Sequence, residues 1–224
     1  GIYQGKNAII VHERLSIVDP QNGAQPLYNE NKTHILAVNG EIYNHKQLRQ
    51  ELTVDYDFKT GSDSEVILPL YEEFKRTGKN FVDRLVGDFA FVIYDEEDNT
   101  IFAARDHMGI NPMYVGTDSE GRFYIASEMK ALVKICDSVK EFPPRHYIYS
   151  KGGDYSFKQY YTRDWKDYEN VKNDTADVSV LKEGLMDAVR RQLMCDVPYG
   201  VLLSGGLDSS VISAIAKFYS EKRV

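Results

Sequence analysis

The sequence predicts an α+β region built on antiparallel sheets, followed by the first strand, loop and helix of an α/β domain. Three observations carry this reading. Residues 89–126 alternate with period two between turn signals, as consecutive hairpins do. Amphipathic helical patterns at 44–52 and 62–77 precede that stretch and can cover a sheet face. Val201, Leu202 and Leu203 run straight into Ser204-Gly205-Gly206, and helical spacing then resumes over 207–218.

In order, 8–11 is a short apolar strand, and 14–19 alternates with Leu15 and Ile17 facing one way. Residues 20–26 hold Asn22-Gly23 and read as a loop. Residues 33–38 form a strand. Asn39-Gly40 follows at once, the strongest short hairpin signal, so local rules place a tight turn there before a strand at 41–43. Asn44 is a cap for the helix that carries Leu48 and Leu52. Ser62 and Glu65 have capping-box spacing ahead of a stripe of Val66, Ile67, Leu70, Tyr71 and Phe74. Pro69 inside the stripe should bend that helix, and Gly78 ends it. Phe89, Phe91 and Ile93 alternate with Ala90, Val92 and Tyr94, so both faces of this strand are apolar and it is buried. Strands at 101–104, 110–115 and 123–126 and a short helix at 128–133 follow. Residues 160–173, with Trp165, read as a linker packed across a domain boundary. Residues 180–194 form an amphipathic helix with Leu181, Leu185, Ala188, Val189 and Leu193 on one face.

The 224 residues suffice for one large or two modest cores. A hydrophobic share of 42% and a charged share of 27% are ordinary for a globular chain. A net charge of −7 gives no electrostatic footprint for nucleic acid or an anionic membrane. No apolar run reaches membrane-spanning length and no secretory pattern opens the chain, so a cytoplasmic location is expected. Cys136 and Cys195 lie far apart without metal-ligand spacing and read as free thiols. The five histidines form no H-x-x-x-H pair, which argues against zinc.

The stretch Leu203-Ser204-Gly205-Gly206-Leu207-Asp208-Ser209-Ser210 makes an anion site. Two glycines let the backbone approach a ligand closely, the first helical amides point outward, and three hydroxyls add donors. A carboxylate at Asp208 beside a phosphate makes sense with a divalent cation, Mg2+, between them. No Gly-Lys-Ser/Thr follows, so this is not the common P-loop.

The stretch resembles the S-G-G-x-D-S-S loop of the PP-loop ATP pyrophosphatases, which cleave ATP between the α and β phosphates. Upstream, Arg14-Leu15-Ser16-Ile17-Val18, Asn39-Gly40-Glu41 and Gly61-Ser62-Asp63 resemble, in order, the glutamine site of class II glutamine amidotransferases. With the stretches around 105–114, 126–132 and 196–210, the set is similar to the glutamine-hydrolysing asparagine synthetases over essentially the whole chain.

The resemblance implies an N-terminal-nucleophile αββα sandwich over 1–158, a linker over 159–175 and the start of a PP-loop synthetase domain over 176–224. It implies that glutamine is hydrolysed in the first domain and its ammonia passes through a channel. In the second, ATP and Mg2+ adenylate aspartate, and ammonia attacks the β-aspartyl-AMP to give asparagine, AMP and pyrophosphate. Arg14 would grip the glutamine α-carboxylate with its planar fork, and Asp63 would accept from the α-ammonium. Leu15, Ser16, Ile17, Val18 and Glu41 would line the same site. The Asn39 amide and Gly40 N–H would form the oxyanion hole. The full-length protein is expected to be a homodimer.

Two departures qualify this. Residue 1 is glycine, where the family carries a cysteine whose own α-amine acts as base, and neither Cys136 nor Cys195 can replace it. The expectation is a piece of a longer enzyme that lacks both ends and is inactive alone. Arg145, in F-P-P-R-H-Y, stands where a glycine-type turn residue is expected.

Each motif alone has a plainer reading: a surface ion pair at Arg14, a hairpin turn at Asn39-Gly40, an N-cap at Asp63. Asp106 and Glu128 read equally as structural ion pairs. Three rivals remain. A β-lactam-synthetase-like ligase is disfavoured by the intact Arg14, Asn39-Gly40 and Asp63. An amidotransferase with a sugar-phosphate or phosphoribosyl partner is disfavoured by the 204–210 loop. A non-catalytic module would bind glutamine or a nucleotide without releasing ammonia.

Overall fold

A computed structural model describes residues 1–151 and 155–220. The chain divides into two units: Gly1–Leu15 with Gln21–Thr162, and Ser16–Pro20 with Arg163–Val224. No helix among the described residues is long and apolar enough to cross a membrane.

The strands of the first unit are Ile2–Gln4 (β1), Ile9–Val11 (β2), Leu27–Tyr28 (β3), His34–Ile42 (β4), Gly87–Asp95 (β5), Thr100–Arg105 (β6), Tyr114–Thr117 (β7), Phe123–Ala126 (β8), Ser138–Glu141 (β9), His146–Lys151 (β10) and Lys158–Gln159 (β11). They form a β1-β2 hairpin, a six-stranded sheet in the order β11-β10-β6-β5-β4-β3 and a three-stranded sheet β8-β7-β9. Every pairing is antiparallel. This is the antiparallel α+β fold expected of the N-terminal-nucleophile type.

Strand alternation sorts the core. Leu36, Val38 and Ile42 of β4 and Phe89, Phe91 and Ile93 of β5 face the helices His45–Glu51 (α1) and Ile67–Thr77 (α2), packing on Leu48, Ile67 and Tyr71. The opposite face presents Ala90, Ala103 and Ile148 to Met113, Val115 and Phe142 around the smaller sheet. Ile35 and Tyr94 meet Ile10 of the hairpin. β5 is thus covered on both faces, as its doubly apolar pattern predicts.

Several local expectations give way. Asn39-Gly40 is no turn. β4 runs unbroken from His34 to Ile42 in register with β5, Asn39 opposite Ala90 and Gly40 opposite Phe89. A nine-residue partner strand outweighs a two-residue turn preference. Pro69 sits in the first turn of α2, where a missing N–H is tolerated, and α2 runs on from it to Thr77. Ser62 makes no side-chain cap bond. Glu65 turns instead to the Lys59 and Thr60 N–H groups, at 2.8 Å each. Asn44 likewise makes no cap bond; its amide bridges Arg84 C=O at 2.9 Å and Val86 N–H at 3.0 Å. The strand expected at 110–115 begins only at Tyr114, since residues 106–113 form a loop. Arg145 has φ +68, so the backbone does take the turn conformation that favours glycine.

The second unit holds the helices Tyr168–Val171 (α3), Val178–Gln192 (α4) and Leu207–Tyr219 (α5). Trp165 is exposed, with the Arg163 guanidinium over its ring. The expected buried strand at 201–203 is not formed, and Leu202 is 96% exposed. A strand is held by its ladder, and no strand among the described residues lies beside this one. α5 nonetheless starts where the Gly turn predicts.

Candidate active site

The site is built on the free side of β4. Backbone groups of its even-numbered residues face away from β5, as the Asn29 N–H to His34 C=O bond of 3.2 Å shows. β3 covers this side only as far as Leu36. Beyond it, side chains replace the strand. Gln25 holds Val38 with both ends of its amide: Oε1 accepts from the N–H at 2.7 Å and Nε2 donates to the C=O at 3.0 Å. His12 Nε2 lies 2.8 Å from the same carbonyl. Ile42 N–H donates to Asp63 Oδ2 at 2.6 Å.

Gly40 lies between these two. Its partner Phe89 spends its backbone groups on Asp106, accepting from Asp106 N–H at 2.8 Å and donating to Asp106 Oδ2 at 3.3 Å. The Gly40–Phe89 pair therefore exchanges no ladder bonds, and the Gly40 amide is turned to the open side. Gly40 has φ +130, and a Cβ there would stand 1.9 Å from the Asp88 carbonyl oxygen. Asn39 next to it has an exposed side chain. A backbone N–H off its ladder beside an accessible carboxamide is a donor pair suited to a developing oxyanion.

Asp63, 3% exposed, opens the turn Asp63–Val66 ahead of α2. Arg49 fixes the approach by donating from Nη2 to Ser62 C=O at 2.8 Å and Thr60 C=O at 3.3 Å. The Asp63 carboxyl is electrostatically coupled to that of Glu41. Burial pushes Glu41 up to about 8, aided by the charge and hydrogen bond of Asp63 and the charge of Asp88, while Arg14 pulls it down. Burial raises Asp63 as well, against the Ile42, Asp63 and Ser64 N–H groups that favour its anion. Such a pair holds negative charge ready for an ammonium and guanidinium charge beside it for a carboxylate.

The first unit therefore brings together Arg14, Asn39, Gly40, Glu41 and Asp63. Leu15 belongs to the same unit with its side chain 84% exposed. Ser16, Ile17 and Val18 fall in the second unit, where Asp196 N–H donates to Ile17 C=O at 3.0 Å.

Sequence reasoning missed the loop at 106–113. Buried Arg105 donates from Nε to Asn111 C=O at 2.7 Å, from Nη1 to Phe142 C=O at 2.7 Å and Glu141 at 2.6 Å, and from Nη2 to Gly109 C=O at 2.9 Å. Asp106 Oδ1 accepts from Met108 N–H at 2.8 Å and Gly109 N–H at 2.6 Å. Asp106 is thus structural. The loop sets Asn111 Nδ2 2.7 Å from where a Gly40 Cβ would stand. A lone asparagine before a proline gave no signal of this.

A cluster of His34, Asp95 and Glu97 sits at the other end of β4 with ligand atoms within 4.8 Å of one another. Lys75 Nζ already pairs with Asp95 there at 2.6 Å, so the cluster is an ion-pair network.

In the second unit Gly206 caps α5 and Gly205 has φ +86. Ser204 Oγ and Ser209 Oγ are 3.0 Å apart, and the Ser209 and Ser210 hydroxyls donate to Gly206 C=O at 3.1 and 2.7 Å. Asp208 stands exposed in the first helical turn. Free first-turn amides, hydroxyls and one carboxylate suit a phosphate with a hard cation.

Residues 1–150 match the family described as glutamine amidotransferase domain. The chain belongs to that family. Residues 180–224 of the chain match the family described as asparagine synthase. It is 57% identical over 224 residues to asparagine synthetase B (glutamine-hydrolysing) of Escherichia coli K12, covering all of this chain and 40% of that protein. It is 48% identical over 222 residues to asparagine synthetase (glutamine-hydrolysing) 2 of Arabidopsis thaliana, covering 99% of this chain and 37% of that one. The chain thus spans about 40% of the length of the curated relatives it matches. A solved allosteric regulatory enzyme of purine biosynthesis shares the fold, with a TM-score of 0.51 and 22% identity over 87% of this chain and 46% of its own.

Proposed function

We propose that the whole protein to which this chain belongs is a glutamine-hydrolysing asparagine synthetase. The chain then comprises the glutaminase region at 1–158, a linker at 159–175 and the opening of the synthetase domain at 176–224. Arg14 binds the glutamine α-carboxylate, while Glu41 and Asp63 bind its α-ammonium. Leu15 lines the site. The Asn39 amide and Gly40 N–H stabilise the oxyanion of the tetrahedral intermediate. The nucleophile is assigned to none of these 224 residues, since Cys136 and Cys195 are internal and carry no α-amine.

Released ammonia amidates aspartate, which ATP has activated as β-aspartyl-AMP, giving asparagine, AMP and pyrophosphate. The segment from Leu203 through Ser204, Gly205, Gly206, Leu207, Asp208 and Ser209 to Ser210 holds the departing pyrophosphate on first-turn amides and hydroxyls. Its oxygen donors suit Mg2+ held by Asp208, which when bound neutralises phosphate charge. As a biosynthetic enzyme the protein is assigned to the cytoplasm, as a homodimer.

The observation that carries this reading is the Gly40 amide left open on β4 between Val38, plugged by Gln25, and Ile42, plugged by Asp63. The names of the relatives support the choice of aspartate and ATP. In the whole protein, Asn39→Ala is expected to lower glutamine-dependent synthesis roughly 100- to 1,000-fold and to spare ammonia-dependent synthesis. Asp208→Ala should abolish aspartate-dependent pyrophosphate release and spare glutamine hydrolysis. Glutamine binding with no ammonia release in the wild type would favour the binding module instead.

A further inference from the structure

We propose that Asp196 is a positioning residue for glutamine binding: it fastens the loop that follows Arg14 and thereby orders the backbone that carries the Arg14 guanidinium to the substrate α-carboxylate. The inference rests on the amidotransferase reading above and adds a residue to it.

Arg14 sits on a stretch without a ladder of its own. β2 ends at Val11, and residues 12–19 form neither helix nor strand. The start of the stretch is fixed where His12 N–H donates to Gly1 C=O at 2.9 Å. Its end is fixed by Asp196, which bonds on both sides of Val18. Asp196 N–H donates to Ile17 C=O at 3.0 Å, and Asp196 Oδ2 accepts from Asp19 N–H at 2.8 Å. Asp19 has φ +46, a left-handed conformation that a residue other than glycine keeps only where its surroundings hold it. The carboxylate of Asp196 supplies such a hold at the Asp19 amide itself.

Both bonds lie inside the second unit, to which Ser16–Pro20 belong, whereas Arg14 belongs to the first. Leu15 alone joins Arg14 to the fastened segment. A loop tied at residue 12 and again at residues 17 and 19 has lost most of its freedom before substrate arrives, so that entropy is not lost again on binding. The region 1–158 therefore draws on a residue outside itself to order its substrate loop.

The α-carboxylate of glutamine is unchanged by hydrolysis. Its grip is equally strong in the bound substrate and in the transition state, and disorder in the Arg14 loop falls on KM and spares kcat.

The test uses the whole protein with Asp196→Ala and Asp196→Asn, assayed for glutamine hydrolysis and for ammonia-dependent asparagine formation. Asp196→Ala is expected to raise KM for glutamine about three- to tenfold, with kcat within about twofold of wild type. Asp196→Asn retains an oxygen that can accept from Asp19 N–H and should keep KM within about twofold of wild type. Asp196 is exposed, so neither variant opens a cavity, and unchanged ammonia-dependent synthesis in both shows that they fold. The proposal is overturned if Asp196→Ala matches wild type in KM, if kcat falls while KM stays, if Asn is impaired as much as Ala, or if Ala lowers both reactions alike. A wild type that releases no ammonia sinks the amidotransferase reading and this one with it. A wild type that does, with Asp196→Ala matching it in KM, sinks the Asp196 assignment alone.

Discussion

Glu41 and Asp63 couple electrostatically at the end of β4, with Asp88 and Arg14 adding charges of opposite sign. Glu41 is held up to about 8 from an ordinary 4.5, so the folded protein keeps a proton that the unfolded chain releases. Stability contributed by this group is therefore lost as pH rises from about 4.5 to about 8. Glu41→Gln should leave the melting midpoint unchanged near pH 4.5 and raise it at pH 8. A variant that melts lower than wild type at pH 8 would contradict the raised Glu41.

Gly40 and Gly78 both have positive φ, +130 and +71, but only Gly40 is hemmed in. Among the described residues nothing lies within 4 Å of a Cβ at Gly78. Gly78→Ala should cost about 1–2 kcal/mol of stability, the left-handed penalty alone. Gly40→Ala must also push aside the Asp88 carbonyl and should cost at least about 3 kcal/mol in urea unfolding. Equal losses would mean that β4 is more pliable here than its register implies.

His34 is buried, which disfavours its charge, yet the Asp95 and Glu72 carboxylates more than offset this and hold it up to about 9. Its ring nitrogens lie 3.3 Å from Asp95 and 3.7 Å from Glu72. A raised histidine contributes stability fully below about 6.5 and loses it as pH climbs through 9. The melting midpoint of wild type should fall across that window, and His34→Gln should flatten the fall. Parallel curves for the two proteins would remove His34 from the network.

Arg145 occupies a left-handed position at φ +68, with its Nε buried and unpaired among the described residues. Its backbone bonds, N–H to Asp106 C=O at 3.1 Å and C=O from Tyr160 N–H at 2.9 Å, need no side chain. Arg145→Gly should therefore raise the melting midpoint slightly, since about 1 kcal/mol of strain relief exceeds the entropy that glycine adds to the unfolded chain. A lowered midpoint would show that the guanidinium has a structural role.

Much of the sheet was legible because alternation over Phe89 to Tyr94 is a long, redundant signal. The proposed site residues Arg14, Asn39, Gly40 and Asp63 were singled out through their order along the chain. What failed were rules that see only a few residues. Asn39-Gly40 obeys every local rule for a turn, and only the pairing with β5 makes it strand. Ser62 and Glu65 have capping-box spacing, but Glu65 finds better donors in Lys59 and Thr60, which no spacing rule weighs. The run at Val201 carries the composition of a strand, but the bonds that make a strand belong to its neighbour. The nearness of Asn111 to Gly40 was invisible because the two stand seventy-one positions apart in the chain.

A sheet edge ordinarily invites another polypeptide to dock, since it offers donors and acceptors at regular intervals along a strand. Past Leu36, β4 is such an edge, and Gln25 and Asp63 stopper it at Val38 and Ile42. What is left is a port one amide wide. A foreign strand cannot lodge in so short a gap, because it must bond at alternate residues to hold. A lone carbonyl oxygen can. The same two stoppers thereby guard the domain against intermolecular strand addition, and removing either one would lengthen the run of unpaired backbone on which a second chain could build.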